Sequence, residues 1–251
     1  MKTFIIQKLI LVVIMAAVSC KHKNPANVND KIIVDTIDLS KEEYPLKNAG
    51  HADTVQINYQ LNQDILNLIP LIPDTAMQSW GWSKADRNAF LSMVKKRNYF
   101  VDTNPQYNNI KDVRPHYFET QVVDGLFSVS CYKGSNGDFL LITNDQVGDG
   151  NYLCAYQVSS NRITEIKINE VIGSLDSYLK VHAAEEKCET QLEEAAPYSS
   201  YDLSTLNEIS ILVPLEKAKS EKCVDGNSIK LKFDAVTGKF NVDSISWFDA
   251  G

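Results

Sequence analysis

This chain of 251 residues predicts an α+β fold: an antiparallel β-meander with two or three helices and a C-terminal β-hairpin. Three observations carry that expectation. The middle of the chain alternates apolar and polar residues between Gly- and Asn-rich turns. Two stretches, 83–98 and about 175–195, instead repeat at the helical period. From Asn207 onward the alternation returns around the turn Ala235-Val236-Thr237-Gly238.

Taken in order, Lys21 to about Gly50 is polar and punctuated, which predicts a tether with a short strand at Ile32-Ile33-Val34. "DTVQINYQL" from Asp53 alternates as a strand does, and "NQDILNLIPLIPD" reads as a short apolar helix broken at Pro70 and Pro73. The clearest helix follows. Ser83 can cap it, Asp86 stands three residues on as in a capping box, and Ala89, Phe90, Met93 and Val94 form one stripe. Lys95, Lys96 and Arg97 suit the negative end of its dipole. "HYFETQVV", "LFSVSCYK", "DFLLIT", "YLCAYQV" and "ITEIKI" are the strands of the meander. A second helix is expected with Leu175, Tyr178, Leu179, His182 and Ala183 on one face. The strands "NEISILVP", "NSIKLKFD" and "KFNVDSISWF" then close the chain.

A hydrophobic content of 44% and a charged content of 23% are those of a globular protein able to bury a core. The net charge is −7. A chain this acidic lacks the basic surplus that phosphate backbones require, so nucleic acid is not an expected partner.

The N-terminus carries the strongest motif. Lys2 and Lys8 precede an apolar run over residues 9–15, and Ala16-Ala17-Val18-Ser19 lead into Cys20, the layout of a secretory signal. The run is too short to span a bilayer comfortably. It resembles the lipobox of bacterial lipoproteins, with Ala17 where leucine is commoner. That resemblance implies cleavage before Cys20 and a diacylglyceryl group on its thiol, hence a membrane anchor of two acyl chains. An ordinary signal peptide with an incidental cysteine is the alternative. The organisation expected is a signal peptide over 1–19, a tether over 20–50 and one globular domain over 51–251. By analogy with such lipoproteins, the absence of acid at Lys21 and His22 resembles export to an outer membrane. "LIPDTAMQSWGWSKADRNAF" ahead of a meander is loosely similar to uncharacterised secreted proteins of Bacteroidetes, a likeness that implies no activity.

Candidate chemistry is sparse. "NDQVGDGN", Asn144 to Asn151, offers oxygens for calcium at Asp145, Asp149 and Asn151, but Val147 and Tyr156 stand where ligands would be needed. A hairpin turn is the expected reading. Cys131 and Cys154 lie on strands flanking a third, ~9.5 Å apart and beyond bridging distance. Cys188 and Cys223 can join helix to hairpin, or remain two thiols. No metal-ligand spacing and no cofactor fingerprint occurs. His22, His51, His116 and His182 are the histidines, and neither GxSxG nor HExxH is present. Trp80 and Trp82 around Gly81 suit either ligand stacking or packing at the helix entry, where Arg87 would meet Trp82. Asp-Ser/Thr-aliphatic triplets at Thr36, Thr54, Thr75 and Ser244 resemble O-glycosylation sites of exported Bacteroidetes proteins, with Thr36, Thr54 and Thr75 the candidates.

The function expected is a lipid-anchored, non-enzymatic binding or assembly module of the cell envelope, presenting a β-sheet surface to an envelope protein or glycan. The alternatives are a hydrolase with dispersed residues, revealed by a cleft joining His116 or His182 to a serine and a carboxylate, and an inhibitor of a cationic enzyme.

Overall fold

Strands that are apolar on both faces need cover on both faces, and this requirement sets the layering. The computed structural model describes residues 55–77, 81–101, 109–122, 125–148, 150–179 and 186–248. It opens with β1 (Gln56–Asn58), α1 (Gln63–Leu68), α2 (Lys84–Arg97) and β2 (Tyr99–Val101), with β1 and β2 paired antiparallel. Six antiparallel strands follow in sequence order: β3 (Asn109–Arg114), β4 (Tyr117–Val122), β5 (Gly125–Lys133), β6 (Phe139–Val147), β7 (Gly150–Ser159) and β8 (Arg162–Ile166). Three short helices come next, α3 (Ile168–Ile172), α4 (Leu175–Tyr178) and α5 (Glu186–Ala195). The remainder is β9 (Ser200–Asp202), β10 (Glu208–Leu212), α6 (Lys217–Ser220), β11 (Ser228–Asp234) and β12 (Lys239–Ser246). These last four strands form a second antiparallel sheet in the order β12-β11-β10-β9. The class is α+β with a meander, as the sequence predicts.

Every residue of β5 from Phe127 to Tyr132 is buried. On one face Tyr132, Leu140, Ile142 and Ala155 join the core formed with Ile209, Ile211, Ile229, Leu231, Phe233 and Phe240 of the second sheet. Tyr132 meets Phe240 edge-on at 4.8 Å and Phe233 at 5.4 Å. The opposite face carries Phe118, whose ring stacks on Trp82 at 5.8 Å and meets the edge of Phe90 at 6.4 Å. The α1–α2 layer therefore covers one side of the meander and the second sheet covers the other.

α2 starts as its sequence dictates. Ser83 Oγ accepts from the Asp86 backbone N–H at 3.2 Å, and Asp86 Oδ2 accepts from the Ser83 N–H at 3.2 Å. Ser83→Ala is expected to cost about 1 kcal/mol, read as a lower urea midpoint with unchanged slope. Asn98 ends the helix in the left-handed region at φ 53°. The buried face differs from expectation. It consists of Arg87, Phe90 and Val94, while Ala89 is exposed and Met93 only half-buried. An arginine occupies the stripe because backbone carbonyls take up its guanidinium: Nη1 donates to Trp82 O and Nη2 to Ile72 O.

Other boundaries also shift. β3 and β9 are strands the alternation does not announce. The helix expected over 175–195 is interrupted, because Leu179 leaves the α region at ψ 86° and α5 begins at Glu186. His182 and Ala183 lie outside the described residues. The C-terminal hairpin is half of a four-stranded sheet. β6 and β7 run through most of "NDQVGDGN", with Gly148 in the turn that follows β6. The β7–β8 turn has Ser160 and Asn161 both at positive φ, 48° and 63°, the geometry of a two-residue type I′ hairpin.

Candidate functional site

The second sheet turns polar residues outward. Glu208, Ser210, Lys230 and Lys232 alternate with the buried Ile209, Ile211, Ile229 and Leu231, and Lys230 Nζ stands 3.8 Å from Glu208 Oε1. That is an ordinary solvated sheet face. The concave feature lies elsewhere, where α5 meets the segment between β10 and β11.

α5 buries Cys188, Leu192 and Ala195, a spacing of four and three that makes one helical stripe. Pro197 diverts the chain into a 3₁₀ turn over Ala196–Tyr198, leaving Tyr198 61% exposed. Across from it, β10 continues through the buried Val213 to Pro214, Leu215 and α6. Asn227 fixes this second wall with all its polar atoms. Its carbonyl accepts from Val213 N–H at 2.8 Å, and Nδ2 donates to Leu215 O at 3.1 Å and Phe248 O at 3.0 Å. Oδ1 accepts from Phe248 N–H at 2.7 Å, and the backbone N–H donates to Ser246 O at 3.1 Å.

Between the walls is a shallow groove of about 420 Å³. Gln191, Glu194, Ala195 and Tyr198 line one side, and Pro214, Leu215, Glu216, Lys219 and Ser220 the other. The disulfide between Cys188 and Cys223 ties the two sides together, with Cα atoms 5.4 Å apart. Of the two readings open for these cysteines, the bridge is the one the fold adopts. Ser220 Oγ donates to Gln191 Oε1 across the groove at 3.5 Å. Lys219 Nζ is paired with Glu216 Oε1 at 2.8 Å. Among the described residues Glu194 has no ion pair and the Gln191 side-chain N–H group has no acceptor.

The residues singled out in the sequence are dispersed. Cys20, Thr36, Thr54, His22, His51, Trp80, Asp149 and His182 lie outside the described residues. Thr75 is exposed in the 3₁₀ turn Asp74–Ala76, and its neighbour Asp74 is paired with Arg87 at 2.9 Å. Trp82 gives its ring to Phe118 and Phe90, and its carbonyl accepts from Arg87. Asp145 and Asn151 project from opposite sheet faces: Asp145 pairs across β6–β7 with Tyr152, one residue out of phase with Asn151. They cannot converge on one ion. His116 Nε2 stands 3.0 Å from Ser204 O, which also accepts from Arg114 Nη1 at 3.0 Å. A carbonyl only accepts, so Nε2 carries the proton and points at backbone rather than at a serine hydroxyl.

Cys131 and Cys154 are buried thiols kept apart by β6. Burial pushes the Cys131 thiol up to about 12 from 9.0, and it likewise raises the Tyr132 phenol above its ordinary range. A raised folded value means that stability is complete below pH 9 and is lost as pH climbs toward 12. Unfolding midpoints should therefore fall between pH 9 and 11. At pH 8 iodoacetamide should alkylate Cys131 only after urea is added, a contrast that mass spectrometry of the tryptic peptide reads directly.

The residues that build the groove carry no sequence motif. The one signal within reach was the pair Cys188 and Cys223, which bracket it.

No family model matches the chain, and no curated protein matches it. Among solved structures it is similar to a domain of an uncharacterised protein from Porphyromonas gingivalis W83, at 9% identity over 72% of this chain and 98% of that one, with a TM-score of 0.46.

Proposed function

We propose that this chain is a lipid-anchored protein of the cell envelope that works as a non-enzymatic binding module, with the α5–α6 groove as its binding site. The groove carries the reading. It combines an exposed tyrosine, an apolar floor at Leu215 and polar groups not engaged by the fold, the composition of a recognition site. The anchor rests on the sequence up to Cys20. Among the described residues no helix is long and apolar enough to cross a membrane. His116, committed to a backbone carbonyl, does not favour the hydrolase reading. Glycosylation at Thr36, Thr54 or Thr75 remains part of the proposal.

Photo-crosslinking in native membranes tests it. A benzophenone amino acid at position 198 is expected to give a discrete adduct in the membrane fraction. The same residue at position 236, at the far end of β11, is expected to give none, although Val236 is 83% exposed. Adducts at both positions alike, or at neither, contradict the reading. Cys20→Ser is expected to move the chain to the soluble fraction, and retention in the membrane would remove the anchor.

A further inference from the structure

From the groove we infer that its occupant is a peptide segment presenting a lysine or arginine side chain. This inference rests on the groove being the module's binding site and names what enters it.

Charge comes first. Two carboxylates, Glu194 and Glu216, stand on opposite walls. Lys219 neutralises Glu216 at 2.8 Å, and Glu194 is left with no partner among the described residues. Among the described residues the groove therefore carries one uncompensated negative charge, that of Glu194. A cation complements it, and an anion would meet repulsion.

Shape and polarity narrow the class further. The floor at Leu215 and the Tyr198 ring are apolar, so a bare ammonium ion would leave them uncovered. A lysine or arginine stem of three or four methylenes covers such a surface while its head stays at the rim. The Tyr198 face adds attraction for the cation itself. At the disulfide end Gln191 holds an amide whose N–H groups donate to nothing among the described residues, while its Oε1 lies 3.5 Å from Ser220 Oγ and 4.0 Å from Cys223 Sγ. An amide so placed matches the carbonyl of a peptide unit. The side-chain cation at Glu194 and the main-chain carbonyl at Gln191 would lie one helical turn apart along α5, the reach of one extended lysine residue.

The test uses the full-length protein in detergent micelles and the tetrapeptide acetyl-Ala-Leu-Lys-Ala-amide, with affinity read from ¹⁵N chemical shifts. Binding is expected to weaken about tenfold when the lysine is Nε-acetylated and about fivefold for Glu194→Gln, a change on an exposed residue that leaves the fold intact. Glu189→Gln, on the same helix but not in the groove, is expected to change nothing. Equal affinity for the acetylated peptide overturns the inference. So do equal losses for Glu194→Gln and Glu189→Gln, since they would report general acidity rather than a site. If position 198 crosslinks a membrane partner while the lysine peptide fails to bind, the binding-module reading stands and the cationic occupant is excluded.

Discussion

Arg87→Leu is expected to lower the unfolding free energy by about 3–5 kcal/mol. Arg87 is fully buried and holds three segments at once. Its guanidinium donates to the carbonyls of Ile72 and Trp82, and Nη2 stands 2.9 Å from Asp74 Oδ1. Nη1 also lies 3.7 Å from Met77 Sδ. Leucine would leave two carbonyls without donors in the place where the 72–77 segment meets α2. Each orphaned acceptor costs about 1–3 kcal/mol. Arg87→Lys is expected to recover less than half the loss, because one ammonium cannot fork between two carbonyls as the planar guanidinium does. Asp74→Asn should cost under about 1 kcal/mol, since Asp74 is 63% exposed and its pairing is screened. Urea unfolding of the three variants gives the order. Equal losses for Arg87→Leu and Asp74→Asn would mean that the ion pair, and not the carbonyl latch, holds the segment.

Loss of the disulfide comes next. Cys188 and Cys223 are 35 residues apart in sequence, so closing that loop removes unfolded-state entropy corresponding to about 3–4 kcal/mol. The double variant Cys188→Ser/Cys223→Ser should therefore unfold about 6–15 °C lower than the oxidised protein. The effect should concentrate on α5. That helix is bounded by Glu186 on one side and Pro197 on the other, and Cys188 is its covalent tie to the segment behind α6. Hydrogen exchange across 188–198 is expected to accelerate in the double variant while β5 and β6 keep their protection. Uniform loss of protection would show instead that the bridge stabilises the whole chain evenly.

Legibility in the sequence follows from where each constraint acts. The α2 start was readable because Ser83 and Asp86 satisfy each other within four residues. The meander was readable because cross-strand pairing is nearest-neighbour in order, and the turns at Gly137, Gly148 and Ser160-Asn161 sit at positive φ. β3 escaped because a bulge between Ile110 and Asp112 breaks its alternation, and β9 because three residues hold no period. The meeting of Arg87 with Trp82 was readable, but its burial was not, because a charge on a helix reads as solvent-facing; the carbonyls of Ile72 and Trp82, distant or off the helix face, make that burial tolerable together with Asp74. The groove was the least legible part. Its walls come from 191–198 and 214–220, segments that share no period or motif and are joined by the Cys188–Cys223 tie and the Ser220–Gln191 contact, with Asn227 clamping the second wall.

The central claim is that this groove, held by its disulfide, is where the chain binds. Titrating the ¹⁵N-labelled full-length protein with the lysine tetrapeptide, before and after reduction with dithiothreitol, tests it most directly. Shift changes are expected to be confined to 188–198 and 213–223 in the oxidised protein, fading on reduction while the signals of β5 and β6 stay in place. Changes centred on the outward face of β10–β12, or binding unaltered by reduction, would contradict it.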